Sequence, residues 1–213
     1  QSALAALHRR RSAESPVPVA YGIDGSPVAL RVDRNGDGTL RVDEGDEAIV
    51  VFGQRRGGSR YYALNVSDPL RPPSLQWRIE RTEGGDFDEL GLTFSTPVVG
   101  RVQFDGQVRD VFLFGGGYNG GVDAVTGERL GKDATAGDDA VGNAIYVVDA
   151  RSGTLVWKEV RGDSAAADNS RFPHPDMRDS IASEIAVLRN AAGIIHRLYV
   201  GDTGGRIWRV DLP

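Results

Sequence analysis

The chain has 213 residues, no cysteine, 28 glycines and a formal net charge of -5. That length permits one domain or two small ones with a sizeable core, and a hydrophobic content of 40% excludes a disordered chain. Without cysteine there is no thiolate zinc site, Fe–S cluster, thiol nucleophile or disulfide framework, and the acidic balance does not suit nucleic acid as a partner.

Residues 1–20 read as a short N-terminal helix or tail, without the basic-then-apolar layout of a signal peptide. No apolar run approaches the ~18–20 residues of a membrane span, so none is predicted. From residue 21 the pattern changes to short apolar stretches closed by glycine. Glycine stands at nearly twice its average share of about 7% and has no Gly-x-y period. It belongs in tight turns between many short strands.

Three units follow one another. Each opens on a small polar pair and alternating apolar residues: Gly25 to Val32, Ser95 to Val102, and Ala182 to Arg189. A second strand ends each time in glycine: Glu47 to Gly53, Asp110 to Gly115, Arg197 to Gly201. A third strand carries a central aromatic: Arg60 to Val66, Ala144 to Asp149, Arg206 to Asp211. Leu75 to Ile79 and Leu155 to Glu159 close the first two units as fourth strands, each with a tryptophan at its centre. The third unit reaches Pro213 without one.

Four-stranded meanders with recurrent glycine and aromatic positions predict β-propeller blades. The expected fold is all-β: one partial propeller with blades at 21–80 and 90–160 and an incomplete blade at 180–213. A closed propeller needs at least four blades, so the chain is expected to be a fragment of a larger one. The units are longer than a plain blade of roughly 40–50 residues. The excess falls at residues 33–46, 119–142 and 161–180, and inserted loops are where function concentrates.

The first insert carries the sharpest chemical signal, Asp33-Arg34-Asn35-Gly36-Asp37-Gly38-Thr39-Leu40-Arg41-Val42-Asp43-Glu44. It fits the D-x-N-x-D-G start of a calcium loop, with a carboxylate at position twelve. Ca²⁺ takes six to eight hard oxygen ligands. Asp33, Asn35 and Asp37 would supply side-chain oxygens, Thr39 a backbone carbonyl, and Glu44 a bidentate carboxylate. Gly38 permits the sharp turn. Position nine is Arg41 where an oxygen donor is usual, and water or Asp43 would fill that gap. The same residues would also make a metal-free acidic hairpin tip, because Asn-Gly and Asp-Gly favour turns.

Other motifs carry less. Arg161-Gly162-Asp163-Ser164 is an Arg-Gly-Asp sequence in a loop, either an adhesion ligand or a plain polar turn. Asp202-Thr203-Gly204 looks like an aspartic-protease triplet, but that chemistry needs two carboxylates sharing a proton and the triplet occurs once. No metal-binding histidine pair, nucleophile elbow or phosphate loop occurs. Ala150-Arg151-Ser152-Gly153-Thr154-Leu155-Val156-Trp157 resembles the docking repeat of quinoprotein propellers.

The residues Ile23 to Pro27, Arg60 to Pro69, Leu90 to Val98, Phe114 to Asn119, Ile145 to Gly153 and Tyr199 to Leu212 together resemble a known domain. It is the C-terminal propeller of the PilC/PilY family of type IV pilus tip-associated adhesins and biogenesis factors. The resemblance implies a modified seven-bladed propeller, of which this chain covers under half. It implies calcium loops on propeller hairpins, so that strand flanks suit the loop at 33–44. It implies a non-enzymatic role in which calcium is linked to pilus extension and retraction, twitching motility and attachment. The partners implied are minor pilins or other pilus components and a host-cell receptor. The location implied is extracytoplasmic: pilus tip, cell surface, outer membrane or periplasm of a Gram-negative bacterium. Two alternatives stand beside it, a quinoprotein-type propeller enzyme and a generic scaffold with a structural calcium.

Overall fold

The computed structural model describes residues 21–122, 129–131, 137–162 and 171–212. The expected N-terminal helix or tail lies outside the described residues. Among the described residues there is no α-helix, and the structure is all-β.

The first sheet is a four-stranded antiparallel meander of β1 (Val28–Val32), β2 (Glu47–Gly53), β3 (Arg60–Asn65) and β4 (Ser74–Glu80). The second contains β5 (Val98–Phe104) and β6 (Gln107–Gly115). A separate two-stranded ribbon, β7 (Gly120–Val122) with β8 (Arg129–Gly131), interrupts the sequence there. The second sheet resumes with β9 (Ala144–Asp149), β10 (Leu155–Arg161) and β11 (Arg171–His174). Its order is β11-β10-β9-β6-β5. The third sheet is β12 (Ala186–Arg189), β13 (Ile195–Gly201) and β14 (Ile207–Asp211).

Strand β11 departs from the meander pattern and pairs with β10 in parallel. It falls in the 161–180 insert, expected as a loop, and it contains Pro173 with Pro175 just beyond its end. Pro173 stands opposite Val160, on an edge strand, where a missing N–H is tolerated.

The three sheets stack through two hydrophobic layers, and the second sheet lies between them. Phe112, Phe114, Tyr146, Val148 and Val160 face the first sheet and pack with Ile49, Val51, Tyr61 and Trp77. Val111, Leu113, Ile145, Val147 and Trp157 face the third and pack with Ile195, Leu198 and Val200. Burial on both faces explains why Val111 to Phe114 and Ile145 to Val148 are unbroken apolar runs. Each fully buried side chain of this size contributes about 1.5–3 kcal/mol. Tyr61, fully buried, packs against Phe114 with the ring centroids 4.3 Å apart and donates its hydroxyl to the Ser95 carbonyl at 2.6 Å. Burial pushes that hydroxyl far above its ordinary pKa, so it remains a neutral donor.

Candidate metal centre

The loop between β1 and β2 is shaped by its own side chains. The Asp33 carboxylate accepts the Gly36 N–H on Oδ1 and the Gly38 N–H on Oδ2, both at 2.8 Å. Asn35 Oδ1 accepts from the Asp37 N–H at 3.0 Å, and Asp37 Oδ1 from the Thr39 N–H at 2.7 Å. Each short polar side chain thus caps a local turn. Gly38 has φ +85°, a conformation that other side chains resist.

A short 3-10 turn, Val42–Glu44, then brings Glu44 back to the start of the loop. Asn35 Nδ2 donates to Glu44 Oε2 at 2.7 Å. Arg41 Nη1 bridges Asp37 Oδ2 at 3.0 Å and Glu44 Oε1 at 2.9 Å. Asn35, Asp37 and Glu44 therefore meet around the Arg41 guanidinium. Asp33 joins them through backbone N–H groups, while Asp43 is exposed and bonds to none of them.

Asp46 was not singled out from the sequence, yet it holds the base of the loop. It is 3% exposed. Its two oxygens accept the Arg34 and Arg41 backbone N–H groups, each at 2.9 Å. Those N–H groups, Arg34 first, hold its carboxyl below its ordinary value. The signal for it was a carboxylate at the mouth of a two-strand loop, one of several nearby and without a motif of its own.

The donor chemistry suits a hard cation: carboxylates, an amide oxygen and backbone carbonyls in a loop already turned by its Asx contacts. One feature opposes it. Among the described residues no three carboxylate or imidazole side chains are close enough to hold an ion as they stand. Arg41 supplies the positive charge at Asp37 and Glu44. Its side chain is 48% exposed, so it can leave for solvent without disturbing the core.

The loop is wired to the second sheet. Arg34 donates to the Gly45 carbonyl at 2.5 Å and to Glu47 at 3.3 Å. Glu47 accepts from Arg151 at 2.6 Å, and Arg151 reaches Asp110 at 3.3 Å.

No protein-family model matches the chain, and no curated protein matches it. A solved structure does. The fold is similar to that of the crystal structure of the Pseudomonas aeruginosa PilY1 C-terminal domain, with a TM-score of 0.56 and 22% identity. The match covers 89% of this chain and 30% of that one, so the chain spans less than a third of the solved domain.

The Arg-Gly-Asp segment is only partly in view. Arg161 ends β10 and pairs with Asp138 at 2.5 Å, and Gly162 donates to the His174 carbonyl at 3.3 Å. Asp163 lies outside the described residues. Asp202, of the protease-like triplet, accepts the Trp208 indole N–H at 2.9 Å and closes the β13–β14 turn.

Proposed function

We propose that the chain is a non-enzymatic, calcium-responsive part of a type IV pilus-associated protein of the PilC/PilY kind. The observation that carries this is the fold similarity to the PilY1 C-terminal domain, joined to a calcium-type loop between two strands. The three stacked sheets are consecutive blades of a larger propeller. Minor pilins or other pilus components, and a host-cell receptor, are the partners, and the location is extracytoplasmic.

Asp33, Asn35, Asp37, the Thr39 carbonyl and Glu44 would hold the calcium, with Asp43 as substitute ligand. When bound, calcium would supply a divalent charge among three carboxylates in place of the single charge that Arg41 gives Asp37 and Glu44. The chain's own residues do the rest. Arg41 releases Asp37 and Glu44 and turns to solvent. Asp46 keeps the backbone at the loop base fixed to the strands through the Arg34 and Arg41 N–H groups. Arg34, Glu47, Arg151 and Asp110 form a charged line from the loop to the second sheet. That line offers the loop's state a route to the neighbouring blade.

The test is genetic. Asp37→Ala is placed in the parent protein of its source bacterium, and piliation, twitching and attachment are measured with and without calcium. The proposal expects calcium dependence to be lost while the folded protein persists at normal level. Unchanged calcium-dependent motility would contradict it.

A further inference from the structure

Three arginines stand at the same position of the three repeats. Val28, Val98 and Ala186 each pair with the residue two before the glycine that ends the second strand, and three residues beyond them lie Arg31, Arg101 and Arg189. They belong to β1, β5 and β12, the first strand of each sheet. All three line one groove of about 430 Å³, walled by Leu30, Val32 and Val99.

The charges there do not cancel. The groove's two acids are Asp33 and Asp110. Asp33 takes Arg31 at 3.2 Å, and Asp110 is engaged by Arg151, which is outside the groove. Among the described residues Arg101 and Arg189 have no carboxylate partner. Each uses one Nη2 to reach across to the other's sheet. Arg101 donates to the Ala192 carbonyl at 3.1 Å, and Arg189 to the Val99 carbonyl at 2.9 Å. A guanidinium has five N–H donors, so most of each fork is left over.

Glycine makes room for this arrangement. A Cβ on Gly193 would stand 3.2 Å from Arg101 Nη2, while Gly100, where a Cβ would stand 2.2 Å from Ile195 Cδ1, lets the third sheet close on β5 beside Arg189. Arg101 therefore lies against the bare backbone of Gly193, and both guanidiniums are tethered at one end by their carbonyl bonds. A tethered, planar, unneutralised fork matches an oxyanion, which it can grip with two parallel bonds.

We propose that this groove binds a single oxyanion group, a carboxylate, sulfate or phosphate. Arg101 and Arg189 grip it and Arg31 adds the third charge. The groove is larger than a bare anion and leaves space for the unit that bears it. The site does not rest on the calcium reading, and Asp33 is shared by both, so the test is run on protein stripped of calcium and dialysed free of chelator.

The experiment is an NMR titration of the arginine side-chain N–H signals of the unmodified chain. The probes are inorganic phosphate, sulfate and glucuronate at low ionic strength. The expected result is saturable shifts at Arg101 and Arg189. Saturation by the tetrahedral anions or by glucuronate supports the site and assigns the class. Arg31→Gln, which loses only an exposed ion pair, should weaken binding about fivefold. Arg189→Lys keeps the charge but loses the fork, and should weaken it about tenfold. Linear, unsaturable shifts shared alike by all exposed arginines would overturn the proposal. So would saturable binding that Arg31→Gln and Arg189→Lys both leave unchanged.

Discussion

The Trp77 indole N–H donates to the Ala150 carbonyl at 2.9 Å, joining residues 73 apart in sequence. Trp77 sits in the last strand of the first sheet, and Ala150 begins the turn after β9 in the second. Gly153 closes the same turn beneath the ring. A Cβ there would stand 2.8 Å from Trp77 Cγ and Cδ2. Trp157, four residues beyond Gly153, faces the third sheet in its turn. One sheet's tryptophan is thus seated on the next sheet's Ala-x-x-Gly turn.

Trp77→Ala should cost about 3–5 kcal/mol, because it empties a 7% exposed site between two sheets. Trp77→Phe keeps a ring and loses the N–H bond, and should cost nearer to ~1 kcal/mol. Urea unfolding of the two variants measures this. A loss of less than ~1 kcal/mol for Trp77→Ala would mean the sheets do not depend on the contact.

Gly153→Ala meets two obstacles at once, a φ of +71° and the Trp77 ring. It should destabilise by about 1–3 kcal/mol. Combined with Trp77→Ala the steric part should vanish, so the two losses should fall short of additive. Strict additivity in a double-mutant cycle would contradict the seat.

Asp46 gives a pH prediction. Its folded pKa lies below the ordinary 3.8, through the Arg34 and then the Arg41 backbone N–H. A lowered carboxylate adds stability that is complete above its unfolded value and is lost as pH falls through the folded one. Wild type should therefore exceed Asp46→Asn in stability by a constant amount from about pH 5 to 8, and the gap should close below about pH 4. A gap that persists at low pH would show that the carboxylate's charge is not what holds the loop.

Glu159 runs the opposite way. It lies on β10 between Ile145 and Phe172, and burial raises its carboxyl from 4.5 to about 7. Among the described residues no partner compensates. The folded chain then holds the proton longer than the unfolded one, so stability falls as pH rises from 4.5 to about 7. Glu159→Gln should flatten that slope and be the more stable form at about pH 8, by up to ~3 kcal/mol. Thermal unfolding across this range checks it, and an unchanged slope in the variant would contradict it.

Strand number and order were legible where local signals agree. Glu47 to Gly53 and Ala144 to Asp149 are strands at their expected bounds because an apolar run and an aromatic coincide in each, closed by a glycine in the first and an aspartate in the second. The parallel β11 was not legible, since its place depends on a non-local edge and Pro173 argues against it. The turns of the loop at 33–44 could be read from its Asp, Asn and Gly spacing. Its closure by Arg41 could not, because position nine was read as a missing ligand and not as a cation. Asp46 escaped notice for a similar reason: its partners are backbone N–H groups, which no residue pattern reveals.

The claim that the loop is a calcium site is tested most directly by calorimetric titration of Ca²⁺ into the wild-type chain and Asp37→Ala, with Arg41→Gln alongside. One site of roughly 10⁻⁴–10⁻³ M is expected, the range of extracellular calcium modules. Asp37→Ala should abolish it, and Arg41→Gln should tighten it by removing the competing guanidinium. Absence of binding by the wild type, or binding unaltered in Asp37→Ala, would contradict the account.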